Sequence, residues 1–154
     1  MTVPINLLSE GRKALITQLQ TISVDNGYRT TAGFNVKSGW LNEVIKASGV
    51  GFPLIVVQKA KGRVPEPGAG GCKMYPGYNV IGAVDVGLDN YEDALDDLEL
   101  DLVRCLMPLH GRATDWTPRG IPTLSFGAPE QFPPGDGLSA ATVLIPVYLH
   151  TLIE

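Results

Sequence analysis

The chain is poor in cysteine, histidine and charge, and each shortage excludes a class of protein. Two cysteines cannot form a disulfide framework, and the two cysteines and two histidines lack the close spacing of zinc ligands. Twelve basic residues against sixteen acidic ones give a formal net charge of −4, which argues against a protein that neutralises many phosphates. We therefore expect no metal site and no sequence-specific nucleic-acid partner.

Membrane and export signals are also missing from the sequence. Its longest purely apolar stretches are too short to span a bilayer, and residues 1–6 are not a basic segment followed by an apolar one, as a secretory signal requires. We therefore predict a soluble protein made in the cytoplasm, with no membrane partner. In that compartment we expect Cys72 to be an exposed thiol and Cys105 to be a core thiol.

No group of residues has the pattern of a catalytic or cofactor-binding site. Residues 68–73 are rich in glycine and end in lysine, but they lack the Gly-Lys-Ser/Thr of a phosphate loop. No Gly-x-Ser-x-Gly turn presents a nucleophile, so Ser125 is predicted to be an ordinary strand residue. We expect His150 to be satisfied by a hydrogen bond at a sheet edge and His110 to lie in an exposed loop. The sequence thus predicts neither catalytic residues nor a cofactor.

The apolar content, 44% of 154 residues, is sufficient for one domain with its own core. Apolar residues at three- and four-residue intervals predict helices, and β-branched or alternating runs predict strands. In chain order the predicted elements are a helix at 8–22 capped by Asn6 or Ser9, a strand at 28–36, a short helix at 38–47, strands at 54–58 and 78–88, a helix at 90–107, and strands at 121–126 and 141–153. This order predicts an α+β fold, with a mostly antiparallel sheet of about five strands, two main helices packed on one face and a long hairpin loop.

The helix predicted at 90–107 has an apolar stripe that includes Leu98 and Leu102, and the carboxylates between residues 92 and 101 form an opposite side typical of a solvated surface. Leu100 interrupts this acidic side, with Val103 beside it. The last predicted strand is apolar on both faces, with Tyr148 on the second. Scattered exposed apolar residues are normal in a small domain, but we predict instead that another subunit covers these positions.

Residues 61–77 are the most unusual stretch of the chain. They contain five glycines and three prolines and show neither a helical nor a strand period, which predicts a mobile, loop-like binding arm outside the core. The arm is basic within an acidic protein and offers small apolar anchors; a passive surface insertion is the alternative. With the positions above, the predicted interface residues are Lys61, Arg63, Lys73, Met74, Tyr75, Leu100, Val103 and Tyr148.

Five segments spread along the chain resemble the tail terminator, or tail completion, proteins of long-tailed bacteriophages. They are residues 22–28 (ISVDNGY), 53–57 (PLIVV), 78–82 (YNVIG), 94–102 (ALDDLELDL) and 141–148 (ATVLIPVY). None of them is a catalytic signature, and the stretch at 61–77 has no counterpart in this resemblance.

The resemblance implies a non-enzymatic α+β domain whose copies form a hexameric ring on the head-proximal end of the tail tube. Such a ring ends polymerisation of the tube and presents the tail to the head, so the implied partners are other copies of the chain, the tail tube protein and the head–tail connector protein. A ring needs a heterologous interface built from two different patches per subunit. The alternatives are another neck or tail component, such as a connector or a tube protein, and a small ligand-binding enzyme.

Overall fold

A sheet of six strands carries three helices in the part of the chain that the structure describes. The computed structural model describes residues 4–47, 51–85, 90–108, 112–135 and 140–154. The helices are α1 (Leu7–Leu19), α2 (Leu41–Lys46) and α3 (Tyr91–Leu106). The strands are β1 (Val36–Ser38), β2 (Leu54–Gly68), β3 (Gly71–Asp85), β4 (Thr123–Phe126), β5 (Glu130–Phe132) and β6 (Ala140–Ile153). The predicted α+β class is confirmed.

The strands lie in the order β1-β2-β3-β6-β4, and β5 pairs with β6 along the same edge as β4. β1 is parallel to β2, and the other pairs are antiparallel. β2 and β3 form a long hairpin, which runs from Leu54 opposite Ala83 to Gly68 opposite Gly71. β6 follows β3 over most of its length, so β3 and β6 are inner strands of the sheet.

α1 and α3 pack on one face of the sheet, called here the first face. Leu15 and Leu19 of α1 and Leu98 and Leu102 of α3 are completely buried in the main core cluster. A Cβ added to Gly82 would lie 2.6 Å from a methyl carbon of Leu98, so β3 lacks a side chain where α3 crosses it. The prediction of two main helices on one face is confirmed.

The predicted cap of α1 is also confirmed. Oδ1 of Asn6 accepts hydrogen bonds from the backbone N–H groups of Leu8 and Ser9, at 3.0 and 3.4 Å. These bonds satisfy donors that have no partner within the first turn of a helix.

α2, the short helix predicted at 38–47, packs on the opposite, second face of the sheet. It covers one end of that face, where its apolar side chains contact a smaller core cluster of Leu54, Val56, Ile81, Ala83 and Ala140. The other end of the second face, around Tyr148 and His150, carries no helix among the described residues. The described residues therefore cover this face only in part.

The prediction of a strand at residues 28–36 is wrong. Val36 begins β1, but the rest of that range consists of irregular, bent backbone and a short 3₁₀ helix. The aromatic and β-branched residues favoured a strand. However, the carboxylate of Asp101 in α3 accepts the backbone N–H groups of Arg29 and Thr30, at 3.0 and 2.8 Å. These hydrogen bonds hold the segment against α3 instead of in a sheet.

The loop predicted for residues 61–77 is also wrong. The segment forms the distal halves of β2 and β3, joined by a two-residue turn at Ala69 and Gly70. One of its glycines permits close contact between the strands, because a Cβ at Gly62 would collide with the carbonyl oxygen of Tyr75. Two shifts of register interrupt the pairing of β2 with β3, which explains why the sequence shows no strand period here.

Two other predictions fall partly or wholly outside the described residues: the end of the strand expected at 78–88, and His110. The strands predicted at 121–126 and 141–153 correspond to β4 and β6, whereas β5 was not predicted. None of the described helices has the length and apolar character needed to cross a membrane.

Candidate interaction surface

The β2–β3 hairpin extends beyond both core clusters, and this extension is called the distal ribbon (residues 61–77). No residue from 61 to 76 is buried, which confirms that the segment lies outside the core. Because β1 pairs with β2 only at residues 55–57, the outer edge of the ribbon has no partner strand among the described residues. Lys61, Pro65 and Pro67 lie on this strand, and such residues discourage pairing through the backbone. Contact with another molecule would therefore depend on the side chains of the ribbon.

Side chains of the distal ribbon and β6 form an aromatic and cationic cluster at the uncovered end of the second face. The guanidinium of Arg63 lies over the ring of Tyr148, 4.5 Å from its centre. The rings of Tyr75 and His150 meet edge to face with centres 4.9 Å apart, and the ammonium of Lys73 lies 5.5 Å from the centre of Tyr75. Such cation–π contacts position the two positive groups, and neither group has an ion pair within the described residues.

His150 links this cluster to β4, since its Nε2 lies 2.9 Å from Oγ of Ser125. The predicted hydrogen bond is present, but the predicted edge position is wrong because β6 lies between β3 and β4. Burial, and then the charges of Lys73 and Arg63, lower the pKa of His150, so its ring is neutral near pH 7. A serine beside a neutral histidine has two of the groups of a catalytic triad. Among the described residues, however, no carboxylate hydrogen-bonds the imidazole to orient it.

A cleft of about 450 Å³ lies on the first face, where the distal ribbon leaves the domain. Its walls include Arg12 of α1, Lys59 of β2, and Met74 and Tyr78 of β3. Tyr78 is buried and donates its hydroxyl hydrogen to the carbonyl oxygen of Leu8, at 3.3 Å. The described walls contain cations but no carboxylate, so the cleft suits an anionic group.

α3 turns a row of carboxylates outward, called here the acidic stripe and made of Glu92, Asp93, Asp96 and Glu99. Leu100 lies beside the stripe with 47% of its surface exposed, so its predicted exposure is confirmed. The amide of Gln131 in β5 donates to Asp96 and Glu99, at 2.9 and 3.2 Å. No cation among the described residues lies within ion-pair distance of the stripe.

Asp101 contradicts the prediction that all the carboxylates of α3 are solvated. Its side chain is completely buried, and besides two backbone N–H groups it accepts the hydroxyl hydrogen of Thr30, at 2.8 Å. Asp101 follows Leu98 by three residues and precedes Cys105 by four, which places it on the apolar stripe of the helix. That spacing was the signal in the sequence, and the neighbouring acidic residues obscured it.

The two thiols differ from the prediction at one position. Cys105 is buried, as predicted, whereas Cys72 is half-buried instead of exposed. Burial raises the pKa of the Cys105 thiol, which donates to the carbonyl oxygen of Gln18, at 3.2 Å. A protonated, buried thiol of this kind is unreactive. Within the described ranges, no three His, Cys, Asp or Glu side chains are grouped to hold a metal ion.

The structure divides the predicted interface residues between two patches. Leu100 and Val103 lie on α3, and Val103 is half-buried against the main core. The others lie on or beside the distal ribbon: Lys61, Arg63, Lys73, Met74, Tyr75 and Tyr148. Sequence reasoning missed that His150 joins the ribbon cluster, because this contact depends on how β3 and β6 are aligned.

In comparisons with known proteins, no family model matches the chain, and no curated protein matches it. The two patches, the fold and the resemblance of five sequence segments are therefore what bears on its function.

Proposed function

We propose that this protein is a structural component of a bacteriophage tail, a tail terminator whose copies form a hexameric ring on the head-proximal end of the tail tube. The ring ends polymerisation of the tube and presents the tail to the head. Its partners are other copies of the chain, the tail tube protein and the head–tail connector protein. The resemblance of five segments supports this proposal, and the α+β fold that the resemblance implies is the fold observed.

The distal ribbon is the observation that carries the proposal. The ribbon pairs with the end of β6 at residues 72–74, but its β2 strand has no further partner strand among the described residues, and ordering its backbone costs conformational entropy. None of its residues from 61 to 76 is buried, so the domain core offsets little of that cost. Its tyrosine and arginine side chains are of the types enriched at protein interfaces. A partner that packs on the ribbon would offset the cost, as expected for a subunit of an assembly.

The acidic stripe and Leu100 are the second support. A ring forms when a patch on one subunit binds a different patch on the next, and the rotation between subunits closes. The stripe lies on α3, whereas the ribbon belongs to the β2–β3 hairpin, so the chain has two such patches with different chemistry.

Light scattering and electron microscopy of the purified protein test the proposal. We expect a ring of fixed copy number, and we expect its addition to polymerising tube protein to yield tubes that are capped at one end and stop growing. A tube protein would instead form axial polymers, and a connector would bind heads without stopping tube growth. A protein that stays monomeric and neither caps tubes nor enters virions would contradict the proposal.

A further inference from the structure

Opposite charges lie at opposite ends of the β2–β3 hairpin. Between residues 58 and 77 the chain has four cations and one carboxylate, whereas α3 has six carboxylates and one cation. α3 crosses β3 at Gly82, and the ribbon turns at Gly70. Lys59 is paired opposite Tyr78, so at about 3.3 Å per residue the cations of the hairpin begin roughly 13 Å from this crossing, and the turn lies roughly 40 Å from it. The basic side chains therefore extend along the hairpin away from α3.

Neither patch is neutralised by ion pairs within the described part of its own subunit. Lys59 and Lys61 are exposed and have no ion pair among the described residues. On α3, Asp97 pairs with Arg29 at 2.6 Å and Asp101 is satisfied by hydrogen bonds, but the acidic stripe has no cationic partner there. Like charges three or four residues apart on a helix repel each other. The charge of each patch can therefore be neutralised by groups of opposite charge on another molecule.

We propose that copies of this chain dock head to tail, with the acidic stripe of one copy seated against the distal ribbon of the next. This inference rests on the proposed function and specifies which two patches of the ring meet. The contact places carboxylates of the stripe near Lys61 of the ribbon and near Lys59, which precedes the ribbon on β2, and relieves repulsion on both sides. Leu100 and Val64, 47% and 83% exposed, add apolar area to the two patches.

Because the two patches lie on different elements of the fold, one copy can engage two neighbours at once. A contact between different patches is heterologous and generates a ring if the rotation closes. Complementary charge speeds the encounter and selects the register of docking, while the exposed apolar side chains lose contact with water. Screening by salt weakens interactions between such exposed charges, so assembly is expected to decrease as ionic strength rises.

Duplex DNA is the competing ligand for a basic ribbon. A net charge of −4 opposes binding to a polyanion, and the acidic stripe on the same chain adds to that repulsion. The same stripe is complementary to the ribbon of a second copy. The observations therefore favour a second copy, and a short labelled DNA duplex serves as the probe for the alternative.

Two double variants at exposed positions test the docking: a ribbon variant with Lys59→Glu and Lys61→Glu, and a helix variant with Asp93→Lys and Asp96→Lys. Two controls make the same changes of charge at exposed positions outside both patches: Lys37→Glu with Lys46→Glu, and Glu43→Lys with Asp115→Lys. Light scattering and analytical ultracentrifugation measure the association of each protein. Melting temperatures show whether each variant folds.

We expect the ribbon variant and the helix variant each to associate at least about tenfold more weakly than the unmodified chain, while both controls assemble normally. When the two variants are mixed, the intact stripe of the ribbon variant meets the intact ribbon of the helix variant, and the two reversed patches also attract each other. We therefore expect alternating copies to assemble in the mixture although neither variant associates alone. A chain with all four substitutions regains self-association, because both patches are reversed together. If one double variant folds poorly, the other double variant and its matched control still decide the test.

Three results would overturn the docking. If the unmodified chain forms rings and both variants form them equally well, the docking is wrong and the ring function stands. If the ribbon variant loses binding to the duplex probe but still forms rings, the ribbon binds DNA and is not the docking surface for a second copy. If the unmodified chain stays monomeric with and without tube protein, the proposed function fails together with the docking.

Discussion

A buried carboxylate, Asp101, joins the segment after α1 to the helix α3. It accepts three hydrogen bonds from Arg29 and Thr30, which together use most of its acceptor capacity. Hydrogen bonds to a charged group are stronger than neutral ones, and a donor left unpaired in a partly buried site loses its compensation for desolvation. One residue thus determines the path of a segment whose own composition favours a strand.

Asp101→Ala is expected to lower the free energy of unfolding by about 2–4 kcal/mol, because it removes the acceptor and leaves the donors of Arg29 and Thr30 unpaired. Asp93→Ala, at an exposed position of the same helix, is expected to change it by less than about 0.5 kcal/mol. Urea unfolding followed by circular dichroism measures both. Equal losses in the two variants would show that the hydrogen bonds of Asp101 contribute nothing to stability.

His150 is expected to make the folded state less stable in mild acid. Burial and the charges of Lys73 and Arg63 lower its folded pKa, while Glu66 acts in the opposite direction. The unfolded chain, with a histidine pKa of about 6.5, therefore binds the proton first as the pH falls. Stability that comes from the neutral ring is present above about pH 6.5 and is lost as the pH falls from there through the folded pKa.

Unfolding free energies of the unmodified chain and of His150→Gln, measured between pH 7.5 and pH 5, isolate this effect. Both proteins share all other titrating groups, so only the difference between their profiles reports on His150. We expect the difference to grow as the pH falls below about 6.5. Two parallel profiles would contradict the lowered pKa.

At the scale of elements, α3 and β6 were predicted well because each has a local period. The apolar stripe of α3 buries Leu98 and Leu102 and leaves Leu100 exposed, as its helical spacing requires. The distal ribbon was misread because its glycines and prolines suggest a loop, although Gly62 is needed where two strands approach closely. The mobility expected for residues 61–77 stays a prediction.

The orientation of α3 is tested by two leucines two residues apart. Leu98→Ala empties a completely buried position against β3 and is expected to cost about 2–5 kcal/mol of stability. Leu100→Ala removes an exposed side chain, so we expect little change in stability but weaker association. Denaturation of the monomer and light scattering of the assembly measure the two effects. The reverse order of stabilities would mean that the faces of α3 are assigned wrongly.

The close approach of the ribbon strands is tested by two glycines of β2. Gly62→Ala places a Cβ against the carbonyl oxygen of Tyr75, whereas Gly68→Ala meets nothing closer than 3.8 Å. We expect Gly62→Ala to separate the strands and to speed amide hydrogen exchange within residues 61–77, with little change in the core. Gly68→Ala is expected to exchange as the unmodified chain does. Unchanged exchange in both variants would contradict the described pairing.

For the whole molecule, local patterns predicted the α+β class and the layer formed by α1 and α3. They also predicted the hairpin of β2 with β3, but not the pairing of β3 with β6, which depends on contacts between distant parts of the chain. The candidate interface likewise has one part that local sequence indicates and one part that depends on how the strands are aligned. The basic and apolar residues of the distal ribbon were found from composition, but His150 joins them only through the alignment of β6 with β3.

The stable core and the proposed assembly surface are different parts of the chain. Shortening the hairpin is therefore expected to impair assembly much more than stability. Replacing residues 63–75 by a short Gly-Ser turn removes no member of either core cluster. It does remove the pairing of β3 with the last residues of β6, while β4 continues to pair with residues 147–150. We expect cooperative unfolding to persist with a melting temperature lowered by less than about 8 °C.

The shortened protein is nevertheless expected to form no rings, to leave tube growth uncapped and to fail in joining tails to heads, because the ribbon cluster of Arg63, Lys73 and Tyr75 is gone. Phage that carry the shortened gene should therefore yield heads and overlong tubes but few complete particles. Gly68→Ala, which keeps the full ribbon, should yield particles normally. A normal yield from the shortened gene would show that residues 63–75 have no part in assembly. The ring would then have to form through the acidic stripe and a surface outside residues 63–75.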